Sequence, residues 1–425
     1  MSWLGAGCQV TSAKIQHWKE TEEGAGKLAA AVADVGLVLP LRTEAALALV
    51  QIQEVERLID AVRRTEAAAR SALTVALAAA LLPRLEGASG PLAPPTAMEA
   101  KDVLFALREW LPAEARAHAD ERLLRWLLVD WAGRAGGDHS GPKIVRAIGA
   151  AAAPALAEGL RQVDASAALV LAQLLREVGG GPDRDLGAGA LIERVREREG
   201  LAREPAYQAL AAVGSPLGRT FLLAVARAGA EGGRVLALLA LAKDPEVASV
   251  SELAALAGDT RGPGAVREAA FTALEAIDSP ATADALAAII ARDAEEKVRY
   301  RAVEALVGCC KVAGVARLLA ALPAGYSYRR LDVSDFIEHD IKELGVAVLP
   351  VLRRALASPS WIARVIAVRL LGALGGQGEL GALRPLLTDE TKLRGWDGDR
   401  APGRAKSVTV AAEARIAIEG LSRRR

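Results

Sequence analysis

Val266-Arg267-Glu268-Ala269-Ala270-Phe271-Thr272-Ala273-Leu274 returns thirty-two residues later (266 to 298) as Val298-Arg299-Tyr300-Arg301-Ala302-Val303-Glu304-Ala305-Leu306. Both copies read V-R-x-x-A-x-x-A-L, with apolar residues three and four apart, the spacing of one helix face. A second apolar segment follows each copy: 282–290 (TADALAAII), then 312–320 (VAGVARLLA), thirty residues on (282 to 312). The unit is therefore a pair of amphipathic helices joined by a turn, and a short connection makes such helices antiparallel neighbours. One hairpin of this kind is too thin to bury its own apolar side, whereas a stack of them has a continuous core. The expected fold is all-α, an α-solenoid of stacked antiparallel helical hairpins, about 30 residues each in the C-terminal half.

Looser copies lie on both sides. Trp361-Ile362-Ala363-Arg364-Val365-Ile366-Ala367 and Ala412-Glu413-Ala414-Arg415-Ile416-Ala417-Ile418 keep the periodicity, and 42–49 is a degenerate early member. Nearer the start, 41–50 and 53–64 read as one hairpin, and 66–82 reads as a longer helix ended by Pro83. Segments 88–96 (ASGPLAPPT) and 136–142 (GGDHSGP) are breaks rich in Gly and Pro. Between them, 98–111 and 113–135 carry Trp110, Trp126 and Trp131, read here as a fatter core, not an aromatic cage. Segment 179–189 (GGGPDRDLGAG) lacks the Gly-Lys-Ser/Thr ending of a phosphate-binding loop and reads as a linker. The organisation expected is a tether over 1–20, irregular helical hairpins over 21–136, and a repeat solenoid over 137–425 interrupted near 326–342 and 388–406.

The repeated V-R-x-x-A-x-x-A-L resembles the HEAT-like repeats of the phycobilin-lyase type, over roughly 203–420. The resemblance implies a helical-repeat body with an extended groove. It also implies that Arg267 and Arg299 pack against the next repeat, a structural role. It points to no residue for a lyase activity, because a shared repeat does not transfer a reaction.

Composition narrows the function. Lys and Arg number 53 and Asp and Glu 52, a formal net charge of +1. That balance argues against nucleic acid, whose binders usually carry a basic surplus. The weakly polar run 71–82 is short of the roughly 20 residues of a membrane-crossing helix, so none is expected. The three cysteines, Cys8, Cys309 and Cys310, form neither a disulfide framework nor a zinc site. Leu4-Gly5-Ala6-Gly7-Cys8 resembles the end of a bacterial lipoprotein signal, which makes Cys8 the lipidation candidate. The few residues before it have no room for a basic and an apolar region. A cell-envelope lipoprotein and a cytoplasmic protein both stay open, and the polar residues after Cys8 suit a tether.

No histidine pair sits at metal-ligand spacing, and no nucleophile elbow or dinucleotide fingerprint occurs, so no catalytic, cofactor or metal residue is assigned. Cys309 and Cys310 are adjacent. Neighbouring side chains on a helix diverge by about 100°, so the expectation is two core thiols, with a vicinal disulfide as the alternative. The two insertions carry residue types enriched at interface hot spots: Tyr326, Tyr328, Arg329, Arg330 and Phe336 in 326–342, and Trp396 in 388–406. These six form the candidate partner-binding patch. The functional expectation is a non-catalytic scaffold for another protein, with membrane contact only through a lipid at Cys8. The alternatives are a lyase-like helical-repeat enzyme drawing on Asp335, Glu338 and His339, and a nucleic-acid-binding repeat.

Overall fold

The structure, a computed structural model, describes residues 10–86, 95–133, 138–197, 203–292, 295–322, 332–393 and 409–424. Among these the regular structure is helical, apart from one isolated bridge between Lys392 and Thr409. The chain divides into two compact units, Met1–Arg194 and Val195–Arg425.

The first unit holds α1 (Ser12–Trp18), α2 (Gly24–Ala33), α3 (Leu39–Gln51), α4 (Val55–Arg64), α5 (Ala67–Leu85), α6 (Ala97–Leu107), α7 (Ala113–Gly133), α8 (Gly141–Ile148), α9 (Ala153–Gly159), α10 (Ala165–Val178) and most of α11 (Gly181–Glu197). The second holds α12 (Arg203–Val213), α13 (Pro216–Ala228), α14 (Glu231–Leu241), α15 (Val250–Ala257), α16 (Gly264–Glu275), α17 (Pro280–Ala291), α18 (Glu296–Ala321), α19 (Asp332–Glu343), α20 (Leu349–Ala355), α21 (Trp361–Leu374), α22 (Leu380–Leu383) and α23 (Val410–Arg423). Within it helices pack on the next but one as well as on a neighbour: α12 on α14, α14 on α16, α16 on α18, α19 on α21 and α21 on α23. This is the stacked-hairpin solenoid the repeat predicts. The repeated positions are its core: Val266, Ala269, Ala270, Ala273 and Leu274, and likewise Val298, Ala302, Ala305 and Leu306, are all buried.

The repeat arginine has a definite structural role, directed backward along the chain. Arg267 Nη1 donates to the carbonyl of Gly262 at 2.8 Å, just before its own helix. The same act recurs elsewhere: Arg234 to Ala226 O at 2.8 Å, Arg364 to Ser358 O at 2.6 Å, and Arg42, itself buried, to Val32 O at 3.0 Å. Carbonyls left over at helix ends and turns carry partial negative charge, and a guanidinium both satisfies and neutralises them.

Four segments differ from their sequence reading. The expected tether is helical over Ser12–Trp18. Thr11 caps α1 through its hydroxyl, Ile15 is wholly buried, and Ser12 and Gln16 both hydrogen-bond Glu44 of α3. A single apolar residue anchors this turn, too few to register as periodicity.

Pro83 does not stop α5, which runs on to Leu85. In the last turn a proline forfeits a single intrahelical bond. Extended in this way, α5 is long and apolar enough to cross a membrane by length and composition; here it packs on α3, α6 and α7.

The expected linker 179–189 is largely helix, the first half of α11. Gly187 serves contact, not flexibility: a Cβ there would come within 2.4 Å of Leu175 Cδ2 and 3.1 Å of Leu160 Cδ1. Lastly, much of 326–342 is α19, which buries Ile337 and Ile341.

The tryptophans divide. Trp131 is core, whereas Trp110 and Trp126 are half-buried with Arg70 and Lys101 over their rings at 5.8 and 5.6 Å. Cys309 and Cys310 are buried as expected, but their sulfurs are joined in a disulfide, which corrects the two-thiol reading. The geometric objection fails because the cystine ends a helix instead of sitting within one: α18 bends at Lys311, the next residue.

Candidate functional site

Of the patch drawn from the sequence, Cys8, Tyr326, Tyr328, Arg329, Arg330 and Trp396 lie outside the described residues. Phe336 belongs to α19, with its side chain outside them. The elements that the two insertions lead into are described, and they meet at a cavity. The first insertion runs into α19. The second leaves at Leu393 and returns at Thr409, where Val410 N bonds Thr391 O at 3.2 Å, so it begins and ends beside the start of α23. Between α19, α21 and α23 lies a cavity of about 220 Å³ whose charged lining is Glu338, Lys342, Arg369, Glu413 and Arg424.

Helix spacing explains the lining. On α23, Glu413, Ile416, Ala417 and Gly420 share one helix face, with Arg424 just beyond the helix end, and Arg369, Gly372 and Ala373 share one face of α21. Gly372 lets these helices close, since a Cβ there would stand 2.9 Å from Ala417 Cβ.

Four of the five charges are committed within the protein. Glu338, 3% exposed, holds Arg369 Nε at 3.0 Å and Lys342 Nζ at 3.9 Å. Arg424 donates to Ala373 O at 3.0 Å and Gly375 O at 3.4 Å, closing the C-terminal end of α21. Glu413 is different. It is 7% exposed, and its carboxylate has no hydrogen bond or ion pair among the described residues. The arrangement has room for a hydrogen-bond donor beside Glu413.

Glu338 and His339, proposed by sequence for an enzymatic reading, do not converge: Glu338 lines the cavity and His339 is exposed. Asp335 has its side chain outside the described residues. Among the described residues no group of three or more His, Cys, Asp or Glu is placed to hold a metal ion. A second groove, between α15 and α17, is lined by Ala254, Ala255, Ala281, Ala285 and Ala288, with Arg292 its one basic group, and presents no basic stripe.

One residue beside the site makes a direct prediction. Asp340 on α19 has its Oδ2 buried without a hydrogen-bond partner. Burial, with Glu304 and Glu343 adding to it and His339 opposing, raises its pKa above the ordinary aspartate range. With the folded pKa raised, the native state binds more protons in the window just above the unfolded value of about 3.9. Stability therefore falls as pH rises through that window, and the loss is complete above the folded pKa. Asp340→Asn is expected to raise the melting temperature at pH 7 and to give no gain below pH ~4. Thermal scans at the two pH values check it, and an equal effect at both would refute the assignment.

The stack of amphipathic hairpins with an open polar cavity on it defines a helical-repeat protein of the kind that presents surface to other molecules. Residues 220–307 match the family of HEAT repeats, so this stretch of the stack carries HEAT-like repeats. No curated protein matches its sequence. Among solved structures it is similar to a chain of the full-length AP-3 complex in an intermediate open conformation (12% identity, 97% of this chain and 83% of that one, TM-score 0.39). It is also similar to human deoxyhypusine hydroxylase in complex with glycerol (16%, 82% and 97%, TM-score 0.19). A third likeness is to Kap121p bound to Ste12p (12%, 89% and 48%, TM-score 0.29), so this chain spans about half of that protein. At these identities and overlaps, none of the three says what this chain binds.

Proposed function

We propose that this chain is a non-catalytic scaffold that binds another protein at the end of the repeat stack, through the cavity between α19, α21 and α23 together with residues of the insertions 326–342 and 388–406. The observation that carries the reading is Glu413, whose carboxylate lines the cavity without a hydrogen-bond or ion-pair partner among the described residues. Tyr326, Tyr328, Arg329, Arg330, Phe336 and Trp396 would supply the aromatic and guanidinium contacts around it, the types that dominate interface energetics. Acylation of Cys8 would tether the scaffold to a bacterial envelope. A native mass showing an unmodified chain that starts before Cys8 would remove that tether and leave the scaffold.

The test is photo-crosslinking from position 396, with position 288 on α17 as a distant control, followed by reconstitution of the captured partner from purified components. Tyr326→Ala/Tyr328→Ala/Trp396→Ala is expected to weaken that complex by about 30-fold, and Glu413→Gln by about 10-fold. Affinity unchanged in both variants, with melting temperatures intact, would overturn the reading.

A further inference from the structure

Cys309 and Cys310 occupy the turn of a hairpin, and that turn is unlike its predecessor. In the preceding hairpin α16 ends at Glu275 and α17 opens at Pro280, with the Ser279 hydroxyl accepting from Thr282 N at 3.1 Å. Residues 276–279 make that connection. In the next hairpin the corresponding connection shrinks to a single non-helical residue, Lys311, at φ 47° and ψ −127°. The chain reverses there, since a Cβ on Gly314 would lie 2.2 Å from the carbonyl oxygen of Leu306, eight residues earlier in sequence. A lysine at positive φ is strained and persists only where its surroundings hold it. The cystine formed by the two preceding residues is the covalent element placed to hold it.

We propose that Cys309–Cys310 is a reversible two-electron thiol–disulfide site, reduced by small dithiols, whose state sets how firmly the α18 hairpin is closed. One thiolate of the dithiol attacks a cystine sulfur, the S–S bond breaks, and a mixed disulfide forms. The second thiol of the reagent displaces it, leaving the reagent as a cyclic disulfide and the protein with two thiols. Two electrons and two protons pass to the protein. An oxidised dithiol or glutathione disulfide reverses the step. Reduction frees Lys311 to leave its strained conformation. The part of α18 after the bend contributes Ala316, Leu319 and Ala320 to an apolar groove shared with Val351 and Ala355 of α20, so loosening the turn alters that groove.

The experiment uses the full chain carrying Cys8→Ser, so that only these two sulfurs respond. Protein purified without reductant is unfolded in N-ethylmaleimide and mapped by mass spectrometry, before and after dithiothreitol and again after glutathione disulfide. The expected result is no adduct before, two after reduction, and none after reoxidation. Hydrogen exchange over 306–321 should be at least about threefold faster in the reduced protein and unchanged over α2 to α5. Two alkylated thiols in the glutathione-disulfide-treated protein would overturn the site. Equal exchange over 306–321 in both states would overturn its control of the hairpin. Reduced wild-type sulfurs serve as the test state, so the result does not depend on a cysteine variant folding.

Discussion

Asp138→Ala lowers the stability of the first unit by about 3 kcal/mol, the largest loss expected from removing one charge. Its partner Lys101 is 1% exposed, a whole ammonium stem and head inside the helix stack. The Nζ reaches Asp138 Oδ2 at 2.7 Å, Ser140 Oγ at 2.6 Å and Asp102 Oδ1 at 2.8 Å, and lies over the Trp126 ring at 5.6 Å. With Asp138 gone, the ammonium keeps the Ser140 hydroxyl and the Trp126 ring, but its one remaining carboxylate is Asp102, itself half exposed and so a poor compensator. A buried cation with too little opposite charge is the costly case, whereas removing both charges together is cheap. The double variant Lys101→Met/Asp138→Asn is therefore expected within about 1 kcal/mol of wild type. Denaturant unfolding followed by hydrogen exchange in α6 and α8 reads the first unit separately from the second. If the single variant loses under about 1 kcal/mol, Lys101 is not held as described.

Phe271→Ala is the corresponding experiment in the second unit, with a loss of about 3–5 kcal/mol. Phe271 is 1% exposed on α16, at the centre of the first repeat copy, and the same position in the next copy is the smaller Val303. Arg301 of α18 lies over its ring at 5.8 Å, held by Glu268 at 3.1 Å and Glu275 at 2.9 Å. The ring thus fills the junction between adjacent repeats. In a stack, each repeat borrows stability from its neighbours, so a cavity there weakens both α16 and α18. Arg301→Ala is expected to cost only about 1 kcal/mol, because its carboxylate partners are largely solvated. The contrast between the two variants, measured by thermal unfolding and local exchange in both helices, separates packing from charge. Equal losses would show that the ion cluster, not the ring, holds the junction.

The departures from the sequence reading share one cause. Gly187 reads as flexibility along the chain, yet it lies where Leu175 and Leu160 press on α11. Ile15 is one apolar residue among polar ones, too sparse to mark a helix, but a capping Thr11 and the Glu44 contacts complete what periodicity lacks. Lys101 looks like a solvent-facing residue until Asp138, thirty-seven residues on (101 to 138), arrives beside it. At the cavity, the sequence could single out the two insertions by their length and aromatics. It held no sign that α19 and α23 would flank α21 around Glu413, since the cavity lining comes from three separate segments. The joined cysteines are similar: adjacency was plain, but whether a helix continues past them depends on the chain reversal at Lys311.

The sequence by itself determined the all-α stacked-hairpin architecture and the buried positions of V-R-x-x-A-x-x-A-L, because helix periodicity is local and each repeat restates it. Tertiary structure alone decided which charges are buried, which glycines are contacts, where the cystine sits, and which carboxylate is left facing a cavity. Those outcomes depend on distances between residues remote in the chain, and side-chain solvation is set by such neighbours, not by position along a helix.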